Sequence, residues 1–146
     1  MFTGNKDEAL KQLESVKNLI ESQIEPDGRQ PLEMNRTKSF NYSVFNLQAF
    51  FLLAELGRNA GVDLYNYKTD DGKSIRKALD YIAPYSDSLL EWKGKEIGSR
   101  VSGIYWLGEL LRIASLRYPD GKYGIILKDN YGKTVLSKQW QLLYPS

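Results

Sequence analysis

The sequence predicts a single all-α domain, and three observations support this. Apolar residues recur at spacings of three and four along four separate stretches, which is typical of helices with a buried face. These stretches follow one another as helix pairs joined by long loops, which indicates helical hairpins. The length of 146 residues, with 42% apolar and 26% charged residues, is that of one ordinary globular domain.

The first helix is expected over residues 6–24 and ends at the turn residues 25–28. Its apolar positions share one stripe: Leu10, Leu13, Val16, Leu19, Ile20 and Ile24. Residues 29–38 contain Pro31 and show no periodicity, so they predict an irregular loop. Thr37 or Ser39 is available as an N-cap for the next helix.

The second helix, over residues 40–56, has apolar side chains on every side of its helical wheel. A helix that is apolar all round is usually buried on all sides. Three amphipathic neighbours in a chain of this length can barely cover it. Two explanations remain open, a compact bundle or the C-terminal portion of a larger helical domain.

A third helix is expected over residues 73–85 and a fourth over residues 97–118, the latter despite Gly98, Gly103 and Gly108. Trp106 and Tyr105 fall inside the fourth helix and are expected in the core. The last 25 residues predict no more than a short helix or an irregular tail.

The chain contains no cysteine and no histidine, which excludes disulfides and most familiar nucleophile, acid–base and transition-metal sites. We expect no cofactor and no metal. A net charge of +2 is too small for a general nucleic-acid or membrane-surface role. The longest apolar stretch, near residues 49–54, is far shorter than a membrane span, and the first residues lack the pattern of a signal peptide.

Several motifs agree in order and spacing with one known family. They are Gln30–Glu33, Arg36–Ser39, Asn41–Ser43, Phe45–Leu47 and Gly61–Leu64. Over residues 6–118 the sequence resembles the C-terminal part of the alginate lyase family of polysaccharide lyases. The expected organisation is therefore one all-α domain over residues 1–146 that forms the C-terminal portion of a larger lyase domain.

The resemblance implies an α/α toroid, in which helical hairpins surround a cleft for an acidic polysaccharide. Only about four helices are expected here, so they would form part of an incomplete toroid. The family's Asn-Asn-His-Gly-like segment, which lies N-terminal to the matched part, does not occur in this sequence. The resemblance also implies a periplasmic or secreted protein.

Lyases of this kind cleave a uronate polymer by β-elimination, in which the C5 proton is removed and the C4 glycosidic oxygen leaves. The sugar carboxylate must be neutralised, and a guanidinium such as Arg36 can grip it with two parallel bonds. A tyrosine phenol can donate a proton to the leaving oxygen, or act as base where cations favour phenolate. By resemblance, Tyr42 matches the family's catalytic tyrosine and Arg36 its carboxylate-binding arginine.

The remaining candidates are expected to bind substrate: Gln30, Glu33, Lys38, Asn41 and Trp92. Each has a structural alternative. Lys38, like Arg36, could be an ordinary solvated loop residue, Gln30 and Glu33 could cap a turn, Asn41 could be a helix cap, and Trp92 could be packing. Tyr42 itself could be a core residue whose hydroxyl bonds to the backbone.

The sequence thus predicts a portion of a polysaccharide lyase that acts on uronate polymers such as alginate. The alternative is a non-catalytic module that binds acidic glycans or serves a structural role, inactive for lack of the histidine segment. A third hypothesis is a helical adaptor that binds a protein through its second helix. An acidic polysaccharide is the expected partner, with no nucleic acid and no membrane. A homo-oligomer or the missing N-terminal part is expected to cover the apolar helix.

Overall fold

The computed structural model of the chain describes residues 2–132, with side chains from Gly4 onward. Within this described part, six α-helices follow in order: α1 Phe2–Gln23, α2 Pro31–Met34, α3 Ser39–Ala60, α4 Ile75–Ile82, α5 Val101–Arg117 and α6 Lys122–Tyr131. A 3-10 turn, Ala83–Ser86, extends α4. Residues 2–132 contain no strand, and a single bridge joins Lys38 to Glu96. The predicted all-α class is confirmed.

Helix α3 is the centre of the fold, and it packs against α1, α2, α4 and α5. Its inward side chains lie at intervals of three and four, as the helical period requires. The fully covered members are Phe40, Val44, Leu47, Phe50, Phe51 and Ala54. They meet the apolar stripe of α1, the inner face of α4, and Leu107 and Leu111 of α5. The core is thus built around the most apolar segment of the sequence.

One face of α3 remains exposed to solvent within residues 2–132. Phe45, Leu52 and Leu56 are 69%, 63% and 50% exposed, and their successive spacings of seven and four residues place them in a stripe along one side of the helix. Of the two explanations that the sequence left open, the compact bundle that surrounds this helix on all sides is therefore not what residues 2–132 form. The neighbouring helices α1, α2, α4 and α5 cover the opposite side of α3. This face stays open because four neighbours are too few to enclose the helix.

Several element boundaries differ from the sequence-based expectation. The loop over residues 29–38 contains the short helix α2, with Pro31 at its first position, where a missing N–H costs nothing. The N-cap of α3 is Lys38 rather than Thr37 or Ser39. The third helix begins later than predicted because the Ser74 hydroxyl accepts the Lys77 N–H and caps it.

The C-terminal part was predicted only as a short helix or a tail, and its first portion forms α6. Its Tyr131 hydroxyl donates to the Ile104 carbonyl at 2.5 Å, which fixes α6 against α5. The prediction for residues 133–146 lies outside the described residues. Across residues 2–132, no helix combines the length and apolar character that a membrane crossing requires.

Candidate active site

The connection between α4 and α5 holds the beginning of α3. The Ser39 N–H donates to the Lys95 carbonyl at 2.9 Å, and the Ile97 N–H donates to the Thr37 carbonyl at 2.8 Å. The Ser39 hydroxyl adds a bond of 2.6 Å to the same Lys95 carbonyl. These bonds join segments almost sixty residues apart, so the start of α3 is fixed by tertiary contacts rather than by local capping.

Glu96 completes this attachment with its carboxylate. One oxygen accepts the Phe40 backbone N–H at 2.7 Å and the other accepts the Asn41 Nδ2–H at 2.8 Å. The first N–H groups of a helix have no partner within the helix, and the positive end of the helix dipole favours an anion there. Glu96 therefore satisfies an orphan donor and orients Asn41, directly before Tyr42.

A close approach of two helices shapes the site. At Gly103 in α5, an added Cβ would lie 2.8 Å from the ring of Phe40 and would overlap Asn41 Oδ1. Only glycine permits this distance between the backbones. The approach brings the first turns of α5 next to the first turns of α3, and a groove forms between them.

The groove encloses a cavity of about 430 Å³. Lys38, Asn41 and Tyr42 line one end, Val44, Phe45 and Gln48 continue along α3, and Ser102, Gly103 and Trp106 form the wall on α5. Ligand pockets in proteins typically measure roughly 300–1,000 Å³ and combine apolar walls with a few polar groups. Three of the sequence-predicted residues thus border one cavity of suitable size.

Tyr42 lines the polar end of this groove, and Arg36 lies against its ring. The Arg36 guanidinium carbon is 4.0 Å from the centre of the Tyr42 ring, a cation–π contact. Tyr42 is half-buried, and no group within residues 2–132 hydrogen-bonds its hydroxyl. The alternative of a core tyrosine bonded to the backbone is therefore not what the structure shows.

Two cationic side chains, Arg36 and Lys38, lie at this end of the groove. Arg36 and Lys38 are both exposed, and neither forms an ion pair with any residue of the described part of the chain. Glu33 contacts Arg36 through the backbone only, where its carbonyl accepts the Arg36 N–H at 3.0 Å. The two cations are available to an external anion.

Gln30 and Trp92 do not reach the groove, which corrects their expected role in substrate binding. Gln30 is only 3% exposed, and its amide is engaged at both ends, donating to the Ser43 carbonyl and accepting from Asn46 Nδ2. Trp92 is 7% exposed, and its indole N–H donates to the Ser39 hydroxyl at 2.7 Å. Both side chains support the start of α3 from inside.

Asn41 lines the cavity, but its amide nitrogen is already used. It donates to Glu96 and to the Ser99 carbonyl, at 2.8 Å and 3.1 Å. Its Oδ1 is buried without a hydrogen-bond partner and faces Gly103. Asn41 therefore ties α3 to the loop before α5, and it is not the helix cap that the sequence allowed.

Phe45 and Trp106 belong to the groove although sequence reasoning did not select them. Trp106 is 41% exposed, so its assignment to the core is wrong, while its neighbour Tyr105 is half-buried. The rings of Trp106 and Tyr105 meet edge to face, with centroids 5.1 Å apart. Gly103, one turn before Trp106, was the available signal, because a glycine inside a helix often marks a close contact.

A second cavity, of about 340 Å³, lies at the opposite end of α3 and includes Arg58, Tyr65 and Arg117. Its chemistry differs from that of the first. Arg117 is paired with Glu55, with nitrogen–oxygen distances of 2.7 and 3.2 Å, and this hydrogen-bonded pairing lowers the pKa of Glu55. Glu55 balances the charge of Arg117, and Asp63 lines the cavity together with Arg58, so this cavity is the weaker anion site.

The fold and groove define a helical-hairpin protein with an unpaired cationic groove, and comparisons with known proteins agree. The alginate lyase family model matches residues 1–92. A crystal structure of an alginate lyase from Bacteroides ovatus matches with a TM-score of 0.86 and 33% identity, over 98% of this chain and 38% of that chain. No curated protein sequence matches the chain.

The chain belongs to the alginate lyase family, because the family model covers more than half of it. The match to the solved lyase places its helical hairpins in the α/α-toroid fold class. The chain spans 38% of the length of that lyase, so the hairpins correspond to part of such a toroid.

Proposed function

We propose that this chain carries the uronate-binding and proton-transfer side of a polysaccharide lyase site that cleaves polymers such as alginate by β-elimination. The observation that carries the proposal is the contact of Arg36 with Tyr42 at the polar end of the groove. It joins an unpaired guanidinium to a tyrosine whose hydroxyl has no partner in the described chain. Family membership makes a uronate polymer the natural ligand for this pair.

Charge neutralisation is the first chemical requirement of the reaction. The C5 proton is very weakly acidic while the neighbouring carboxylate keeps its charge, because removal of the proton creates a dianion. Arg36 binds the carboxylate with two charge-assisted hydrogen bonds and stabilises the charge that develops on it. Lys38, which lines the same end of the groove, adds a second positive charge.

Proton transfer is the second requirement, and Tyr42 meets it. Its oxygen takes the proton from C5 as phenolate, a C4=C5 double bond forms, and the C4–O bond breaks. The phenol so formed returns the proton to the departing O4 oxygen, so the side chain ends the cycle as it began. Arg36 holds the sugar so that both atoms face the phenol, which supplies the orientation that proton transfer requires.

A larger lyase domain accounts for the exposed stripe of α3. Phe45, Leu52 and Leu56 leave an apolar face open in the described chain, and the chain spans 38% of the Bacteroides ovatus lyase. We infer that further helices of such a domain cover Leu52 and Leu56, while Phe45 stays in the groove. In keeping with its family, the protein is expected in the periplasm or outside the cell.

The test is to incubate the chain with alginate and to follow the ultraviolet absorbance of the unsaturated product. Tyr42→Phe removes one hydroxyl from the groove and leaves the ring that Arg36 contacts. We expect product from the parent chain, and a loss of at least a hundredfold in rate for Tyr42→Phe, the order of a general acid–base contribution. Binding of alginate, measured by calorimetry, should be unchanged in this variant.

Tyr67→Phe is the matched control, because Tyr67 is also half-buried but lies away from the groove. It should cleave at the parental rate. Equal rates for the parent and Tyr42→Phe would contradict the proposed role of the phenol. Binding of alginate without any product from the parent would favour the non-catalytic glycan-binding alternative.

A further inference from the structure

The groove extends beyond the residues that the proposed reaction uses. Lys38 and Tyr42 line its polar end, with Arg36 against the Tyr42 ring, whereas Phe45, Gln48 and Trp106 line the part further along α3. The helix rises about 9 Å from Tyr42 to Gln48 at about 1.5 Å per residue, which is longer than one pyranose ring. The cavity therefore has room beside the sugar that is being cleaved.

Two aromatic side chains are exposed in this second part of the groove. Phe45 is on α3 and Trp106 on α5, and both present apolar ring surface to solvent rather than to the core. Large exposed aromatic residues in a concave site usually contact a ligand. A pyranose ring has one face of C–H groups that packs well on such a ring, since burying this apolar surface is favourable.

We propose that Trp106 and Phe45 form a stacking subsite for the uronate residue adjacent to the one whose carboxylate Arg36 binds. This inference rests on the proposed function, because it places a second sugar of the same polymer. Gln48 follows Phe45 about one turn further along α3, where its amide can bond to sugar hydroxyl groups. The subsite makes the groove select a polymer rather than a single uronate.

The geometry of α5 supports a fixed platform. Gly103 lets the helix approach Phe40 closely, and Trp106 follows one turn later on the same side of α5. The rings of Tyr105 and Trp106 meet edge to face with their centroids 5.1 Å apart, a contact that restricts rotation of the Trp106 side chain. A platform that is already ordered loses little entropy when a sugar binds.

The charge of the groove identifies its occupant as an acidic sugar chain rather than a protein helix. Arg36 and Lys38 are exposed and unpaired within residues 2–132 at one end, and the aromatic pair is at the other. An acidic polymer satisfies both ends at once, with its carboxylates at the cations and its ring faces on the aromatic residues. A purely apolar partner would leave the cations uncompensated.

The experiment measures alginate binding by calorimetry for the parent, Trp106→Ala, Trp106→Phe and Leu116→Ala. Leu116 is an exposed apolar residue on α5 outside the groove, so it controls for loss of surface apolarity. We expect Trp106→Ala to bind about tenfold more weakly, equivalent to about 1.4 kcal/mol. Trp106→Phe should stay close to the parent because it keeps an aromatic face, and Leu116→Ala should equal the parent.

Arg36→Ala is measured in parallel, at low salt and at high salt. Its loss of affinity should shrink as salt screens the exposed charge, whereas the loss caused by Trp106→Ala should persist. If Trp106→Ala binds as the parent does while Arg36→Ala is weaker, the subsite is overturned and the proposed function stands. If Arg36→Ala binds as the parent does, or the parent binds no alginate, the proposed function itself fails.

Two further outcomes would overturn the subsite alone. Trp106→Phe binding as weakly as Trp106→Ala would show that an aromatic face is not what the ligand uses. A change of mass in size-exclusion chromatography, from dimer in the parent to monomer in Trp106→Ala, would show that the groove holds a second copy of the chain.

Discussion

The attachment of α3 through Glu96 yields the most specific structural prediction, and Glu96→Gln tests it. Glutamine has the same shape but only one acceptor oxygen, and its NH2 group would face a donor, either Phe40 N–H or Asn41 Nδ2–H. One hydrogen bond of the carboxylate is lost, and the glutamine NH2 group is placed against another N–H donor. A hydrogen bond to a charged group contributes about 1.5–3 kcal/mol, so we expect a loss of about 2 kcal/mol in the free energy of unfolding.

Urea denaturation followed by circular dichroism measures this loss. A domain of this size should also show a decrease in Tm of about 5 °C, because roughly 2–4 °C corresponds to each kcal/mol. Glu91→Gln is the matched control, since Glu91 is an exposed residue of the same connection, and it should change stability by less than about 0.5 kcal/mol. Equal stability of Glu96→Gln and the parent would refute the reasoning that this carboxylate fixes the start of α3.

Two other predictions concern stability. Gly28→Ala should lower the free energy of unfolding by more than about 2 kcal/mol, because its φ is +96° and a Cβ there would overlap the Lys77 carbonyl. Gly72→Ala, with a φ of +92° and open space around it, should lower the free energy of unfolding by only about 1 kcal/mol. Similar urea midpoints for the two variants would contradict this. Hydrogen bonding by Arg117 lowers the pKa of Glu55 below its ordinary value of 4.5, so its stabilising contribution is present above pH 4.5 and is lost as the pH falls through the lowered pKa. The difference in unfolding free energy between the parent and Glu55→Gln should therefore shrink in acid, and a constant difference from pH 7 to pH 3 would be inconsistent with that coupling.

Helix positions were predictable from the sequence where the signal is local. The stripe of α1 from Leu10 to Ile24 repeats with the helical period, and the observed helix Phe2–Gln23 follows it closely. The start of α5 was predicted four residues too early. The Ile97 N–H bonds to the Thr37 carbonyl, sixty residues away, and periodicity within residues 97–118 contains no information about that partner.

The exposed face of α3 was not predictable from its composition. A helical wheel shows that every side is apolar, but it does not show which side lacks a neighbour. Phe45 and Leu52 are exposed because the other described helices pack on the opposite face. Only the packing arrangement decides between a covered and an open face, and that arrangement depends on contacts between distant parts of the chain.

Some residues of the candidate site could likewise be predicted from the sequence, and others could not. Arg36 and Tyr42 are six residues apart across one loop-to-helix junction, so their proximity could be expected from the sequence, and the structure brings them into contact. Trp106 could not be placed at the groove, because its position depends on how closely α5 approaches α3 at Gly103. Trp92 illustrates the reverse, since a tryptophan in a loop proved to be a buried support of the start of α3.

The central claim is that Arg36 recognises the carboxylate of a uronate polymer. The most direct measurement is a double cycle in which the parent and Arg36→Ala are each titrated with alginate and with carboxyl-reduced, uncharged alginate. The account predicts that the parent binds the charged polymer about 10- to 100-fold more tightly than the neutral one, the range expected for a charge-assisted contact, and that Arg36→Ala loses most of this preference. An undiminished preference in Arg36→Ala would contradict it.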